Sequence, residues 1–207
     1  MALDGRSSGG RTPSPGELID AVIASGPAAL LKAAGFRKRG RKFHLVESQS
    51  SAHLDFQGSQ SNSRERTRFT INLGRYYPAL AERLGQKVIA DPARRICLHH
   101  GARIGHVMEP EHEDYWWELT SMYEVTDVGA AVTAALRERG IPFLRSIATL
   151  DGLVAENPMV PQWMRNTPPN EARAVALSIL GREDEARAAH AQLAEMARRR
   201  RIRHGTA

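Results

Sequence analysis

Cysteine is all but absent: Cys97 is the single one among 207 residues. An intrachain disulfide is therefore excluded, and a reducing compartment is expected. Long apolar runs are missing as well. None approaches the ~18 to 20 residues that a membrane span needs, so no membrane partner is expected. The stretch MALDGRSSGGRTPSPGE has no apolar segment of the secretory type. Its Gly, Ser and Pro content predicts a disordered leader over residues 1–14, and the expected location is cytoplasmic. Aromatic residues are sparse at 6%. No G-x-S-x-G elbow, phosphate loop or dinucleotide fingerprint occurs, so no catalytic residue can be assigned and no cofactor is expected. An enzyme is the less favoured reading.

What is present is enough apolar material, 42%, for one real core. The length fits one domain, or one domain with a small appendage. The formal net charge of +6 is unevenly spread. Arg37, Lys38, Arg39, Arg41 and Lys42 form one basic run, and Arg198, Arg199, Arg200, Arg201 and Arg203 form another. Taking those ten charges from +6 leaves −4, so the body is slightly acidic. The second run closes a helical pattern, where cations suit the helix dipole. Both runs are the candidates for contact with nucleic acid.

Periodicity gives the elements. A helix is predicted over Pro15 to Ala34, started by Ser14 with Glu17 as a capping box, broken at Gly26-Pro27 and stopped by Gly35. Three strands follow by alternation: Phe43 and Leu45, then Leu54 and Phe56, then Phe69, Ile71 and Leu73. Their short polar connectors favour an antiparallel meander. Pro78 to Gln86 reads as a helical turn or an irregular excursion. Arg95 to His100 reads as a fourth strand, and Tyr115 to Leu119 as a fifth or as an aromatic lid. Helix returns over Val125 to Arg139, closed by Gly140-Ile141-Pro142, with another short helix between Leu144 and Val154. The boundaries expected are an α+β domain over 15–156, a Pro-rich linker over 157–170 and a helical hairpin over 171–202, turned at Gly181. That hairpin has the look of half a tetratricopeptide-type repeat, and alone it could not bury its apolar face. The fold class is α+β: an antiparallel meander sheet packed by helices on one face.

The run Gly35-Phe36-Arg37-Lys38-Arg39-Gly40-Arg41-Lys42-Phe43 resembles a bacterial family known as domain of unknown function 4304. So do Phe69-Thr70-Ile71-Asn72-Leu73-Gly74 and the following Tyr76-Tyr77-Pro78. Later echoes are Cys97, Arg103-Ile104-Gly105, Trp116-Trp117 and Pro142-Phe143-Leu144. The resemblance spans about Leu18 to Val154. It implies a compact α+β domain and supplies no catalytic assignment.

Two constellations invite a functional reading. Cys97, His99, His100, His106, His112 and the acidic residues from Glu109 to Asp114 form the densest polar cluster. Zinc prefers Cys and His, so Cys97, His99, His106 and His112 are the candidate ligands if a metal binds. The spacing lacks H-x-x-x-H and C-x-x-C, and the favoured reading is no metal. The second constellation is the sheet face opposite Phe56, Phe69 and Ile71. It carries Gln57, Thr70 and Asn72, and Arg103 and Trp116 join it if the fourth strand extends the meander. With Trp117, these residues are the candidate binding set, because Trp and Arg often anchor interfaces. Plainer alternatives are a solvated sheet face or two Trp packing the two sides of an edge strand. The expected function is a non-enzymatic module that binds a protein partner; by analogy, an accessory or immunity-type role in a toxin or defence system would suit it. The alternative is nucleic-acid association through the two basic runs.

Overall fold

A computed structural model describes residues 11–91, 99–108, 114–155 and 169–203. Side chains 169, 170, 196 and 199–203 fall outside that description. So do most of the expected leader, Arg95 to Leu98 of the expected fourth strand, and residues 157–168 of the expected linker.

Helix α1 (Pro15–Ser25) begins at a complete capping box. The Ser14 N–H donates to Glu17 Oε2 at 2.7 Å, and the Glu17 N–H donates to Ser14 Oγ at 3.3 Å. Those bonds, with Arg11 alongside, hold the Glu17 carboxyl down at about 2. Helix α2 (Pro27–Ala33) follows directly. It closes on Gly35 at φ 91°, with the Phe36 N–H reaching Leu31 O and the Gly35 N–H reaching Lys32 O. This paired closure needs a left-handed residue, which glycine adopts without strain.

The sheet is larger than the alternation predicts. Strand β1 (Arg37–Arg39) pairs with β2 (Lys42–Val46). The turn between them is two residues long, with Gly40 at φ 61°, as a tight hairpin demands. A run of cations gave no strand pattern, yet it forms the sheet edge, where charge is tolerated and protective. Strands β3 (Ser51–Gly58) and β4 (Thr67–Tyr76) continue the antiparallel meander. After α3 (Pro78–Arg83) comes β5 (His100–Arg103), so the fourth strand begins where Arg95 to His100 was expected to end. Helix α4 (Ile104–Met108) then interrupts the strand line, and β6 (Trp117–Leu119) resumes it. Both β5 and β6 lie antiparallel to β4: Asn72 pairs with Arg103, and Phe69 with Trp117.

Residues opposed across antiparallel strands share a face. One face holds Phe43, Leu54, Phe56, Phe69, Ile71, Leu73 and Ala102, all buried. The aromatic rings run across the strands: Phe43 to Phe56 at 5.9 Å, Phe56 to Phe69 at 6.2 Å, and Phe69 stacked on Trp117 at 5.5 Å. Leu18, Ile19, Val22 and Ile23 of α1 complete this core, with Val132, Leu136 and Leu144 from the long helix after β6.

That helix corrects the expected stop at Gly140-Ile141-Pro142. A 3-10 turn (Met122–Glu124) leads into α5 (Val125–Ala135), a π-helical turn (Leu136–Gly140) and α6 (Ile141–Ser146) without a break. Proline lacks the N–H an α-helix requires, and the wider turn absorbs that defect. Gly140 sits there because a Cβ would come within 3.1 Å of both Ile104 and Leu136. The buried positions of α5 are Val125, Gly129, Val132 and Ala135. Ala131 is exposed, while Gly129 is buried against Ser25, where a Cβ would lie 1.9 Å from the hydroxyl.

Helix α7 (Leu150–Ala155) precedes the terminal pair α8 (Pro169–Ile179) and α9 (Glu183–Arg203), turned at Gly181. The pair packs on the body. Ala174, Ala176, Leu177, Ala186 and Ala189 form a second core with Tyr77, Leu80, Leu150, Leu153 and Val154. Ile179, at the end of α8, is 37% exposed. No helix among the described residues is long and apolar enough to cross a membrane.

Candidate functional site

The second face of the sheet is polar because the alternate residues of the same strands are polar. Its central row runs Lys42, Asp55, Asn72, Arg103 across β2 to β5. Gln57 lies opposite Thr70, and Arg68 opposite Glu118. The Asn72 amide donates to Gln57 Oε1 at 2.7 Å, locking both side chains. Burial pushes the Asp55 carboxyl above its ordinary value, with Lys42 and Arg41 opposing.

Gln57, Asn72, Arg103 and Trp116 thus meet on one surface. Trp116 precedes β6, and its ring lies 5.3 Å from the Arg103 guanidinium and 5.7 Å from that of Arg68. Such spacing is within cation–π range. Arg103 is also ion-paired to Asp114. Glu118 takes Arg66 at 2.7 Å and Arg68 at 3.8 Å, which holds its carboxyl low. The opposite charges on this face are therefore largely matched.

Trp117 does not share that surface. Alternation points it to the other side, where it is 5% exposed and stacked on Phe69. Tyr115 meets its edge at 5.0 Å. The two Trp thus stand on opposite sides of an edge strand. Arg68 and Asp114 belong to the polar surface but escaped the sequence reading. Counting back by two from Thr70 reaches Arg68. Asp114 carries no comparable signal, because its position depends on how the chain returns from α4.

At the far end of the polar face the residues are buried. His53 is 3% exposed and shares a 2.9 Å hydrogen bond with Ser51 Oγ. Burial, aided by His44 and Arg75, lowers its pKa to about 4. His99 is also lowered to about 4, by burial. Its Nδ1 accepts from the Tyr77 N–H at 3.0 Å, its Nε2 lies 3.2 Å from Gln86 Oε1, and its ring stacks on Tyr76 at 5.0 Å. With both nitrogens engaged, His99 is not poised to ligate a metal. His106 is buried in α4, and Cys97 and His112 lie outside the described residues. No group of three His, Cys, Asp or Glu among the described residues is arranged to hold a metal ion.

The basic runs divide. Arg41 turns back to α1, gripping Asp20 with Nε at 2.7 Å and a terminal nitrogen at 3.1 Å, and donating to Gly16 O at 2.8 Å. Arg37 and Lys38 remain exposed on β1. Arg198 pairs with Glu195 at 3.1 Å, and the side chains of Arg199, Arg200, Arg201 and Arg203 lie outside the described set.

Residues 28–146 match the model of a family described as Domain of unknown function (DUF4304). The match takes in every strand among the described residues and stops before α7. No curated protein and no solved structure matches the chain.

Proposed function

The chain belongs to the DUF4304 family, and on that premise we propose that it is a non-enzymatic cytoplasmic module that binds a protein partner through the polar face of its sheet. The observation that carries this reading is Trp116, half-buried on the side away from the helices and flanked by Arg68 and Arg103. An aromatic held among arginines and side-chain amides is the composition of an interface anchor. Charge matching on this face disfavours phosphate, which would meet Asp114 and Glu118 as well as the arginines. An accessory role beside a toxin or defence protein fits a module of this kind.

Capture from native lysate at moderate salt, with and without nuclease, tests the reading. A stoichiometric protein that survives nuclease, and that is lost on Arg103→Ala or Asn72→Ala at unchanged melting temperature, is the expected result. Loss of binding that tracks loss of stability would make both residues structural. The exposed Arg37 and Lys38 of β1 favour a second reading, contact with nucleic acid. It predicts recovery of nucleic acid, with affinity falling steeply as salt rises.

A further inference from the structure

Folded chains leave few buried polar side-chain atoms without a hydrogen bond, and each one asks for a cause. Three such atoms belong to the surroundings of Trp116: Oγ1 of Thr70, Oδ1 of Asp114 and Nε of Arg68, the last with only a 3.8 Å ion contact to Glu118. Thr70 is the most telling, because the residue is 0% exposed. Gln57 lies opposite it, and Arg68 and Asn72 flank it two residues away on the same face. Extending the β4–β6 register by one residue sets Trp116 across from Thr70 on the other side. Asp114 is tied to this spot through Arg103.

The chemistry of the three atoms is mixed. Arg68 Nε can only donate, Asp114 Oδ1 can only accept, and the Thr70 hydroxyl can do either. Beside them, the Asn72–Gln57 bond uses a donor of Asn72 and the carbonyl of Gln57, which leaves the Asn72 carbonyl and the Gln57 amide N–H groups to engage a ligand. A carboxylate brings acceptors alone, a phosphate brings chiefly acceptors and more negative charge, and either would meet the Asp114 carboxylate. An ammonium brings donors alone and would meet Arg68. An amide brings a donor and an acceptor in one plane and no charge. The formal charge of Arg103 is already offset by Asp114, and Arg68 shares Glu118 with Arg66.

We propose that the spot bounded by Thr70, Arg68, Asp114 and Trp116 receives an amide group of the protein partner, either a peptide bond or an Asn or Gln side chain, with the indole of Trp116 swinging aside as it enters. The proposal rests on the protein-binding reading of this face and specifies what that face recognises.

The probe is N-acetylglycinamide, titrated into isotope-labelled full-length protein and followed by NMR, with acetate and inorganic phosphate at equal ionic strength in parallel. Saturable shifts of the Thr70 amide and the Trp116 indole N–H are expected with the amide alone. Thr70→Val removes the hydroxyl at similar volume. It should keep or raise the melting temperature, since an unpaired buried hydroxyl is lost, and weaken the amide at least tenfold. Absence of saturable shifts, an equal response to acetate or phosphate, or unaltered binding by Thr70→Val would overturn the proposal. Partner capture separates the two levels. If Thr70→Val retains the partner while Arg103→Ala loses it, the amide site is wrong and the binding face stands. If Arg103→Ala also retains the partner, the face itself is wrong.

Discussion

Trp116 and Trp117 are neighbours in sequence and opposites in circumstance. Trp117 extends the ring ladder of Phe43, Phe56 and Phe69 and is sealed beneath the helices. Trp116 stands half-buried among two arginines, beside polar atoms that the chain does not satisfy. One face of the sheet is closed by packing, with the Thr67 hydroxyl its one buried side-chain atom on β4 left without a hydrogen bond. The other is partly buried, yet left chemically incomplete. Packing residues and half-buried polar residues can thus alternate along a single strand, because a one-residue step reverses the side of the sheet.

Substitutions on the two faces should break this symmetry in order of size. Trp117→Ala opens a cavity in the ring ladder and should cost about 3–5 kcal/mol in denaturant titration. A cost under about 1 kcal/mol would mean that this side of the core collapses around the loss.

Arg75 sharpens the comparison, because it is a cation on the apolar side. It is 1% exposed, opposite Ala52 and His100, and it donates Nε to Leu144 O at 2.6 Å. It also binds Ser50 Oγ at 2.7 Å and pairs with Glu47. Ser50 in turn donates to Ala148 O at 2.6 Å. One guanidinium therefore ties the β2–β3 turn to the end of α6. Arg75→Met fills the volume but strips these partners, and a loss of about 2 kcal/mol is expected. An equally stable variant would show that solvent reaches the abandoned groups.

Acid should act mainly through the buried end of the polar face. His53 and His99 titrate near 4 in the fold, against about 6.5 in an unfolded chain. The unfolded chain therefore binds the extra protons between those values. Stability should be level above pH 6.5 and fall as pH drops from 6.5 towards 4. Melting curves across that range test it, and His53→Gln should flatten the slope. A flat wild-type profile would place both rings in contact with water.

Trp116→Ala is the smallest expected effect on stability, under about 1 kcal/mol, yet it should abolish partner capture. A large loss of stability would return Trp116 to the packing side of the comparison.

Much of this architecture was legible because the strands alternate cleanly. Phe69, Ile71 and Leu73 announce the apolar face, and Gln57 and Asn72 the other. Ser14 and Glu17 mark the first helix through their own hydrogen bonds, and Gly35 its successor's end. The same count of two, continued from Leu73, lands on Arg75, so the buried arginine was written in the pattern and masked by its charge. Other elements depend on partners distant in sequence. Arg37 to Arg39 is a strand because β2 is there to pair with it. The helix passes Pro142 because a π turn lets it, and no local propensity encodes that. Arg103 joins Asn72 through a register that alternation in a four-residue strand could not fix.

The interrupted strand line has a consequence for how such a surface can diversify. Arg103 and Trp117 are anchored opposite Asn72 and Phe69, three residues apart on β4 and hence about 10 Å. The chain makes its excursion from the sheet between these two fixed points, leaving as α4 (Ile104–Met108). Lengthening or shortening that excursion would leave every strand pairing intact while re-aiming Asp114 and Trp116 over the polar face. The fold thus separates the paired strands, which must stay constant, from the aim of the side chains beside them, which can change.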